Sequence, residues 1–233
     1  MRDDLVVVFA RAPERGRVKT RLAAEIGDDL ALALYDWLAR RVVRGLAAPG
    51  RSWDLRVAAT PDVASVAHWL PEADAVRPQR GEDLGARMEA ALTDALSEGY
   101  ARVVIVGTDC AAVDAARVRE ALAALSRAPA VMGPAEDGGY YLLGATRALP
   151  VFRGVAWSTG VVAAQTRARL AAAGIAWTEL PTERDIDVRA DLVALDGLPD
   201  APAPLRALRD RSDERAPRCD RARCAPPTPR GRS

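Results

Sequence analysis

Three groups of residues in this chain have the types and spacing to do chemistry. The first is Arg11-Ala12-Pro13-Glu14-Arg15-Gly16-Arg17-Val18-Lys19-Thr20-Arg21, four arginines and one lysine around a glycine, leading into a helix. A polyphosphate suits such a loop: backbone N–H groups and a helix N-terminus supply partial positive charge, and the side chains supply full charge. The bland alternative is a solvated basic turn. Lys19 is the only Lys beside 32 Arg, and the chain has no Asn. A Lys kept where Arg is so favoured points to a compact charge contact that a planar guanidinium does not replace. The loop is not a P-loop, since Val18 rather than Gly precedes the Lys-Thr pair, and it is not a dinucleotide fingerprint.

The second group closes a strand-like run, Val103-Val104-Ile105-Val106-Gly107-Thr108-Asp109-Cys110. A carboxylate at the tip of a buried strand is costly unless it binds something. Mg²⁺ takes one or two carboxylates together with phosphate and water, so Asp109 is a metal candidate; capping the following turn is the alternative. A second carboxylate would come from Asp185 or Asp187, which lie on one side of an extended segment. Asp187 is equally suited to cap a helix.

The third group is Asp137-Gly138-Gly139-Tyr140-Tyr141, where bare backbone next to aromatic walls would suit an acceptor or a sugar. A plain hairpin turn is the alternative. Ala156-Trp157-Ser158-Thr159 opens another helix, with Ser158 or Thr159 free to cap it or to touch ligand. In Gln79-Arg80-Gly81-Glu82-Asp83-Leu84-Gly85, the glycines allow close backbone approach, although they are also ordinary turn chemistry.

Composition removes several other classes. A single His, His68 in the helix-like stretch 63–70, leaves histidine-based hydrolysis without a nucleophile motif. Three cysteines make no disulfide framework, and Cys219 with Cys224 would supply two of the four ligands of a structural zinc. The apolar run 5–10 is far short of the roughly 20 residues that span a bilayer, and Asp3 and Asp4 precede it. A cytoplasmic protein with no membrane partner is the expectation. Net charge +1 conceals an asymmetry: residues 202–233 carry +5 and residues 1–201 carry −4. The domain is therefore expected to occupy 1–201, and 202–233 to be an Arg- and Pro-rich tail, disordered from about residue 210. Nucleic-acid binding by that tail is a lesser alternative to a solvated one.

These residues need a frame. Strands are expected at 5–9, 55–59, 103–106, 130–132, 140–143 and 176–180. Helices are expected at 28–48, 83–97, 114–126 and 158–173, with Asp28, Asp83, Asp114 and Ser158 as N-caps and with Gly99 and Gly174 just past helix ends. Alternating Val-rich strands and helices imply an α/β fold, a mostly parallel sheet covered on both faces. Between 130 and 143 no crossover helix fits, so an antiparallel or bent strand belongs there. Ligands of such sheets bind beyond the carboxyl ends of the strands, where all three groups fall.

Taken in order, Arg-Ala-Pro-x-x-Gly-Arg-x-Lys-Thr-Arg-Leu, Gly-x-Asp-Leu-Gly-x-Arg-Met, Gly-Thr-Asp-Cys, Gly-Pro-x-x-Asp-Gly-Gly-Tyr-Tyr-Leu-Leu-Gly, Trp-Ser-Thr and Asp-Ile-Asp span about residues 4–196. This series resembles a bacterial glycosyltransferase-A-like family, formerly a domain of unknown function. The group is also called selenium- or radical-enzyme-associated transferases, and it is related to the phospholactate and molybdenum-cofactor guanylyltransferases. The resemblance implies a Rossmann-like three-layer α/β/α sandwich of the nucleotide-diphospho-sugar transferase type, with one reversed strand. It implies that Arg11, Ala12, Pro13, Gly16, Lys19 and Arg21 surround nucleotide phosphates, and that Gly81, Leu84 and Gly85 lie near base or ribose. It also implies Mg²⁺ or Mn²⁺ on Asp109, completed near Asp187. The chain departs from the family pattern at Ala111-Ala112-Val113 and at Val188-Arg189-Ala190, and neither change removes a candidate ligand.

The expected function is a metal-dependent transferase using a nucleotide-activated donor, either an NTP or a nucleotide-sugar, and a small-molecule acceptor. Lys19, Asp109 and Asp137 would be the catalytic groups. Asp137, Gly138, Gly139, Tyr140, Trp157, Ser158 and Thr159 would hold the acceptor. The rival is a non-catalytic nucleotide-binding or partner protein that keeps the same pocket.

Overall fold

The computed structural model describes residues 3–213 except Gly197 and Pro199. Its single sheet is built from β1 (Asp4–Arg11), β2 (Trp53–Thr60), β3 (Ala75–Pro78), β4 (Arg102–Val106), β5 (Ala130–Pro134), β6 (Tyr140–Ala145) and β7 (Trp177–Glu179). The strand order is β3-β2-β1-β4-β6-β5-β7. Only β6 is reversed, pairing antiparallel with both β4 and β5. The expected mostly parallel sheet with one reversed strand is what forms.

Side-chain alternation along β1 explains the layering. Val6 and Val8 point into one core with α2 (Asp28–Leu46), α3 (Val63–Trp69) and α5 (Ala115–Leu125). Leu5 and Val7 point into the other, with α4 (Leu84–Ser97) and α6 (Val162–Ala172). A strand buried on both faces must be apolar at successive positions, which is why the Val-rich run was legible as a strand. A third cluster lies at one end, where α1 (Thr20–Ile26), α2 and a 3₁₀ helix (Arg189–Leu195) meet α7 (Ala203–Asp213).

Several local expectations hold and others change. Asp83 and Asp114 are N-caps, accepting from the N–H groups of Ala86 (2.7 Å) and Arg117 (2.8 Å). Asp28 is instead the first helical residue: Gly27 takes the cap position at φ 89° and separates α1 from α2. Ser158 does not cap α6, which starts four residues later. Residues 156–160 first close a tight loop in which the Thr159 hydroxyl donates to the Ala156 carbonyl (2.6 Å) and Ser158 is left-handed, at φ 62°. The short edge strand β3 carried no apolar run and was not expected.

The body also does not end at residue 201. Within the presumed tail, α7 forms, and its Leu205 is fully buried against α1, α2 and the 3₁₀ helix. Residues 214–233, with Cys219 and Cys224, lie outside the described residues. Leu205→Ala is therefore expected to destabilise the protein by about 2–4 kcal/mol, the range for emptying a buried leucine site. Urea unfolding measures this, and a midpoint equal to wild type would detach α7 from the domain.

Candidate functional site

After β1 the chain builds β2 and β3 on one side of β1, then returns to place β4 on the other. The order switches direction between β1 and β4, and a crevice at their carboxyl ends is the expected ligand position in an open sheet. A cleft of about 760 Å³ opens there. Because β6 is reversed, its amino end, Tyr140, arrives at the same edge, as does the Asp137 turn that joins it to β5.

The β1–α1 loop forms one wall. Tyr35 anchors its start: the Arg11 N–H donates to the Tyr35 hydroxyl, and that hydroxyl donates to the Arg11 carbonyl, both at 2.8 Å. Burial pushes the Tyr35 pKa up to about 12, so the phenol stays a neutral donor. Arg15 turns away to Asp29 (2.7 Å) and Asp28 (3.3 Å). Arg11, Arg17, Lys19 and Arg21 line the cleft. No ion pair engages the Arg11 guanidinium among the described residues.

Lys19 is the centre of the arrangement. It precedes α1 in the left-handed conformation at φ 48°, and its side chain is 2% exposed. Lys19 and Ser158 are the only non-glycine residues with positive φ among the described residues, and both line the cleft. Backbone strain of this kind gathers where surrounding structure dictates a geometry. Lys19 Nζ pairs with Asp109 Oδ1 and also with Asp187 Oδ1 (2.9 Å), while Arg21 pairs with the other Asp187 oxygen. Burial works to lower the Lys19 pKa, but the two carboxylates outweigh it and hold the ammonium charged, above its ordinary value. For Asp187, burial opposes ionisation, yet Lys19 and Arg21 keep its pKa below the usual carboxylate range.

Two backbone links bring these distant residues together. The Ile186 N–H donates to the Asp109 carbonyl (2.9 Å), and Cys110 and Asp185 form an antiparallel bridge. Asp185 and Asp187 thus flank Asp109. Capping of the next turn falls to Asp191, whose carboxylate accepts from the N–H groups of Asp187 (3.0 Å) and Val188 (2.9 Å). Asp187 is left free to face the cations. Asp185 Oδ1 is buried without a hydrogen-bond partner among the described residues. Burial first, then the charge of Asp109, pushes its pKa up to about 7.

The opposite wall is apolar. Phe9, Leu84, Met88, Tyr140 and Trp157 line it, with the Tyr140 and Trp157 rings edge to face at 6.4 Å. Gly85 lies beneath this wall: a Cβ there would fall 2.4 Å from Trp157 Nε1. At the turn between β5 and β6, Asp137 Oδ1 accepts from the Gly139 N–H (2.8 Å), and the Ala163 N–H donates to the Gly138 carbonyl (2.9 Å), tying the turn to α6.

Of the residues singled out in the sequence, Arg11, Lys19, Arg21, Leu84, Asp109, Asp137, Gly139, Tyr140, Trp157, Ser158, Thr159 and Asp187 line one cleft. Ala12, Pro13, Gly16, Gly81, Gly85 and Gly138 do not. Ala12 is buried in the core, and Gly81 and Gly85 serve close packing around α4. Sequence reasoning missed Tyr35, Thr60, Gln79, Met88 and Thr108. Tyr35 reads as one more apolar position on α2, and Gln79 was passed over for the glycines after it.

The seven-stranded, mostly parallel sheet with one reversed strand and a crevice at its switch point is a fold of the nucleotide-diphospho-sugar transferase type. Residues 46–159 match DUF2064, described as "uncharacterized protein conserved in bacteria", and the chain belongs to that family. A crystal structure from Desulfovibrio desulfuricans G20, of a protein classed by name with the nucleotide-diphospho-sugar transferases, is 32% identical with a TM-score of 0.80. The match covers 92% of this chain and 96% of that one. The bifunctional IspDF of Campylobacter jejuni is 11% identical, covering 83% of this chain and 54% of that one, at a TM-score of 0.53. A CMP:2-keto-3-deoxy-manno-octonic acid synthetase complexed with CTP is 14% identical, covering 84% and 97%, at a TM-score of 0.50. These last two share the fold alone. No curated protein matches the chain. Among the described residues, no helix is long and apolar enough to cross a membrane.

Proposed function

We propose that this chain is a cytoplasmic transferase that binds the phosphates of a nucleotide-activated donor on the β1–α1 loop and passes part of that donor to a small-molecule acceptor held beside Asp137. The carrying observation is the meeting of Lys19, Asp109 and Asp187 at the switch point of the sheet, next to Arg11 and Arg21. Fixed cations at a crevice stabilise charge that develops on a departing phosphate, and they do so more strongly in a partly dry site than in water.

The donor set suits a hard divalent cation. Asp109 and Asp187 already share one cation, the Lys19 ammonium, and Asp185 Oδ1 is buried without a partner among the described residues. Carboxylate oxygens are what Mg²⁺ or Mn²⁺ takes, with phosphate and water filling the remaining positions. Asp109 and Asp187 would hold the ion, which when bound neutralises phosphate oxygens as a Lewis acid. Lys19, Arg11 and Arg21 bind and orient the phosphates. Asp137 keeps one oxygen in its turn, and the other has no protein partner among the described residues, leaving it able to accept the acceptor's proton. Tyr140 and Trp157 shield that side from water. The cationic loop favours a triphosphate donor, hence nucleotidyl transfer, over a glycosyl donor.

A thermal-shift panel of NTPs and nucleotide-sugars, each with and without Mg²⁺ or Mn²⁺, tests this. A ligand at a hundredfold excess over its Kd stabilises the native state by about 2.7 kcal/mol. A metal-dependent rise with a triphosphate supports nucleotidyl transfer, and a rise confined to diphospho-sugars supports glycosyl transfer. No rise with any of them removes the nucleotide reading.

A further inference from the structure

We infer that Gln79 reads the base of the donor nucleotide as a fixed hydrogen-bond acceptor, an inference that rests on the nucleotide reading above and assigns its specificity. Gln79 follows β3 and lines the cleft with Thr60 and Leu84. Its backbone N–H donates to the Ala59 carbonyl (2.8 Å), which seats the residue at the edge of the sheet. Its side-chain Nε2 donates to the carbonyls of Ala58 (2.9 Å) and Ala10 (3.3 Å). Both partners are pure acceptors. Turning the amide over would set Oε1 against two carbonyl oxygens, so chemistry fixes which end faces them. The two amide hydrogens are thereby committed to protein. Oε1 remains, with two lone pairs and no protein donor among the described residues, on a half-buried side chain in the cleft wall.

Position supports a base rather than a phosphate or an acceptor. The amide sits over the β1–β2 pair, whereas Asp109 stands at the end of β4 on the other flank of β1. A nucleotide lying across the crevice with its phosphates on the β1–α1 loop puts its base on the Gln79 flank and the transferred group on the Asp137 flank. The group at Gln79 must then present N–H donors. Guanine offers two adjacent ones, N1–H and the 2-amino group. Cytosine and adenine offer one amine each. Uracil offers a single N–H between two carbonyls, which the acceptor repels. The ranking should therefore place guanine first and uracil last. Sites built on a hydrogen bond reject partners that lack it because a buried polar group is left unpaired.

The test is calorimetric titration of the full chain, with Mg²⁺, against GTP, ITP, CTP, ATP and UTP, repeated on Gln79→Met. ITP lacks only the 2-amino group, so the GTP-to-ITP comparison probes the contact without altering the protein. In wild type, GTP should bind most tightly and UTP least, with GTP ahead of ITP by roughly three- to tenfold, the worth of one neutral hydrogen bond. Gln79→Met should close that gap and compress the ranking. A purely structural role for the Gln79 amide would weaken all five nucleotides alike and leave the ranking intact, which overturns the assignment. UTP binding as tightly as GTP to wild type overturns it as well, even if the variant fails to fold. Absence of binding by every triphosphate removes the nucleotide reading itself, and the Gln79 assignment with it.

Discussion

Asp109→Ala is expected to lower turnover of the donor by roughly 10²–10³-fold, the usual effect of deleting one group that stabilises transition-state charge. The same substitution should abolish the metal-dependent part of nucleotide binding. Both expectations come from position: Asp109 lies just past the end of the central strand β4 at the switch point, and its carboxylate meets Lys19 beside the β1–α1 loop. Asp109→Asn is the informative companion, because it keeps the volume and one oxygen while removing the charge. If charge is what matters, the two variants should behave alike in Mn²⁺ titrations and in turnover. Full activity and an unchanged metal-dependent thermal shift in Asp109→Ala would remove Asp109 from the site. The Ile186 N–H to Asp109 carbonyl bond is made by backbone and survives either change, so the neighbouring segment should stay in place.

The second large effect concerns the Asp137 turn, proposed to hold the acceptor. Gly138 has φ 86°, and a Cβ on it would lie 2.0 Å from the Gly160 carbonyl oxygen. Backbone atoms cannot rotate away as the end of a side chain can. Gly138→Ala is expected to destabilise the protein by about 2–4 kcal/mol, combining left-handed strain with overpacking. It should also part the Asp137 turn from the loop carrying Ser158 and Thr159. Gly154→Ala is the control for the φ component alone: its φ is 63°, and a Cβ would approach only the end of the Arg169 side chain, at 3.2 Å. That variant should lose about 1 kcal/mol. Urea denaturation separates the two, and equal losses would mean that the contact between the two loops contributes nothing. Activity of Gly138→Ala below its unfolding transition should fall as well, since the turn and the loop before α6 together carry the residues proposed to hold the acceptor.

Much of the frame was legible because its causes are local. Residues 5–8 and 103–106 are buried on both faces, so continuous apolar sequence identifies their strands. Asp83 and Asp114 hydrogen-bond three residues ahead, a reach that sequence spacing contains. Strand β3 and helix α7 were not legible for the opposite reason. β3 is half-exposed and short, and pairing with β2 alone defines it. The composition around α7 suggests a tail, and only the groove made by α1, α2 and the 3₁₀ helix gives Leu205 something to bury against.

The candidate site divides in the same way. Residue type and order by themselves identified a cationic loop after the first strand, a carboxylate at the tip of β4, an Asp-Gly-Gly turn before paired tyrosines, and a later pair of aspartates. Charge, backbone freedom and strand burial are properties of the residues and their near neighbours. What those groups do to one another was decided by the tertiary structure. Lys19 and Asp187 are 168 residues apart and touch because the sheet reverses its order between β1 and β4 and the 183–187 segment pairs beside Asp109. The same folding sets the ammonium of Lys19, read in the sequence as a phosphate contact, between two carboxylates as well. It also spent both amide hydrogens of Gln79 on strand carbonyls, leaving one acceptor facing the cleft. Spacing along a chain cannot encode such relations, since they depend on which strands become neighbours.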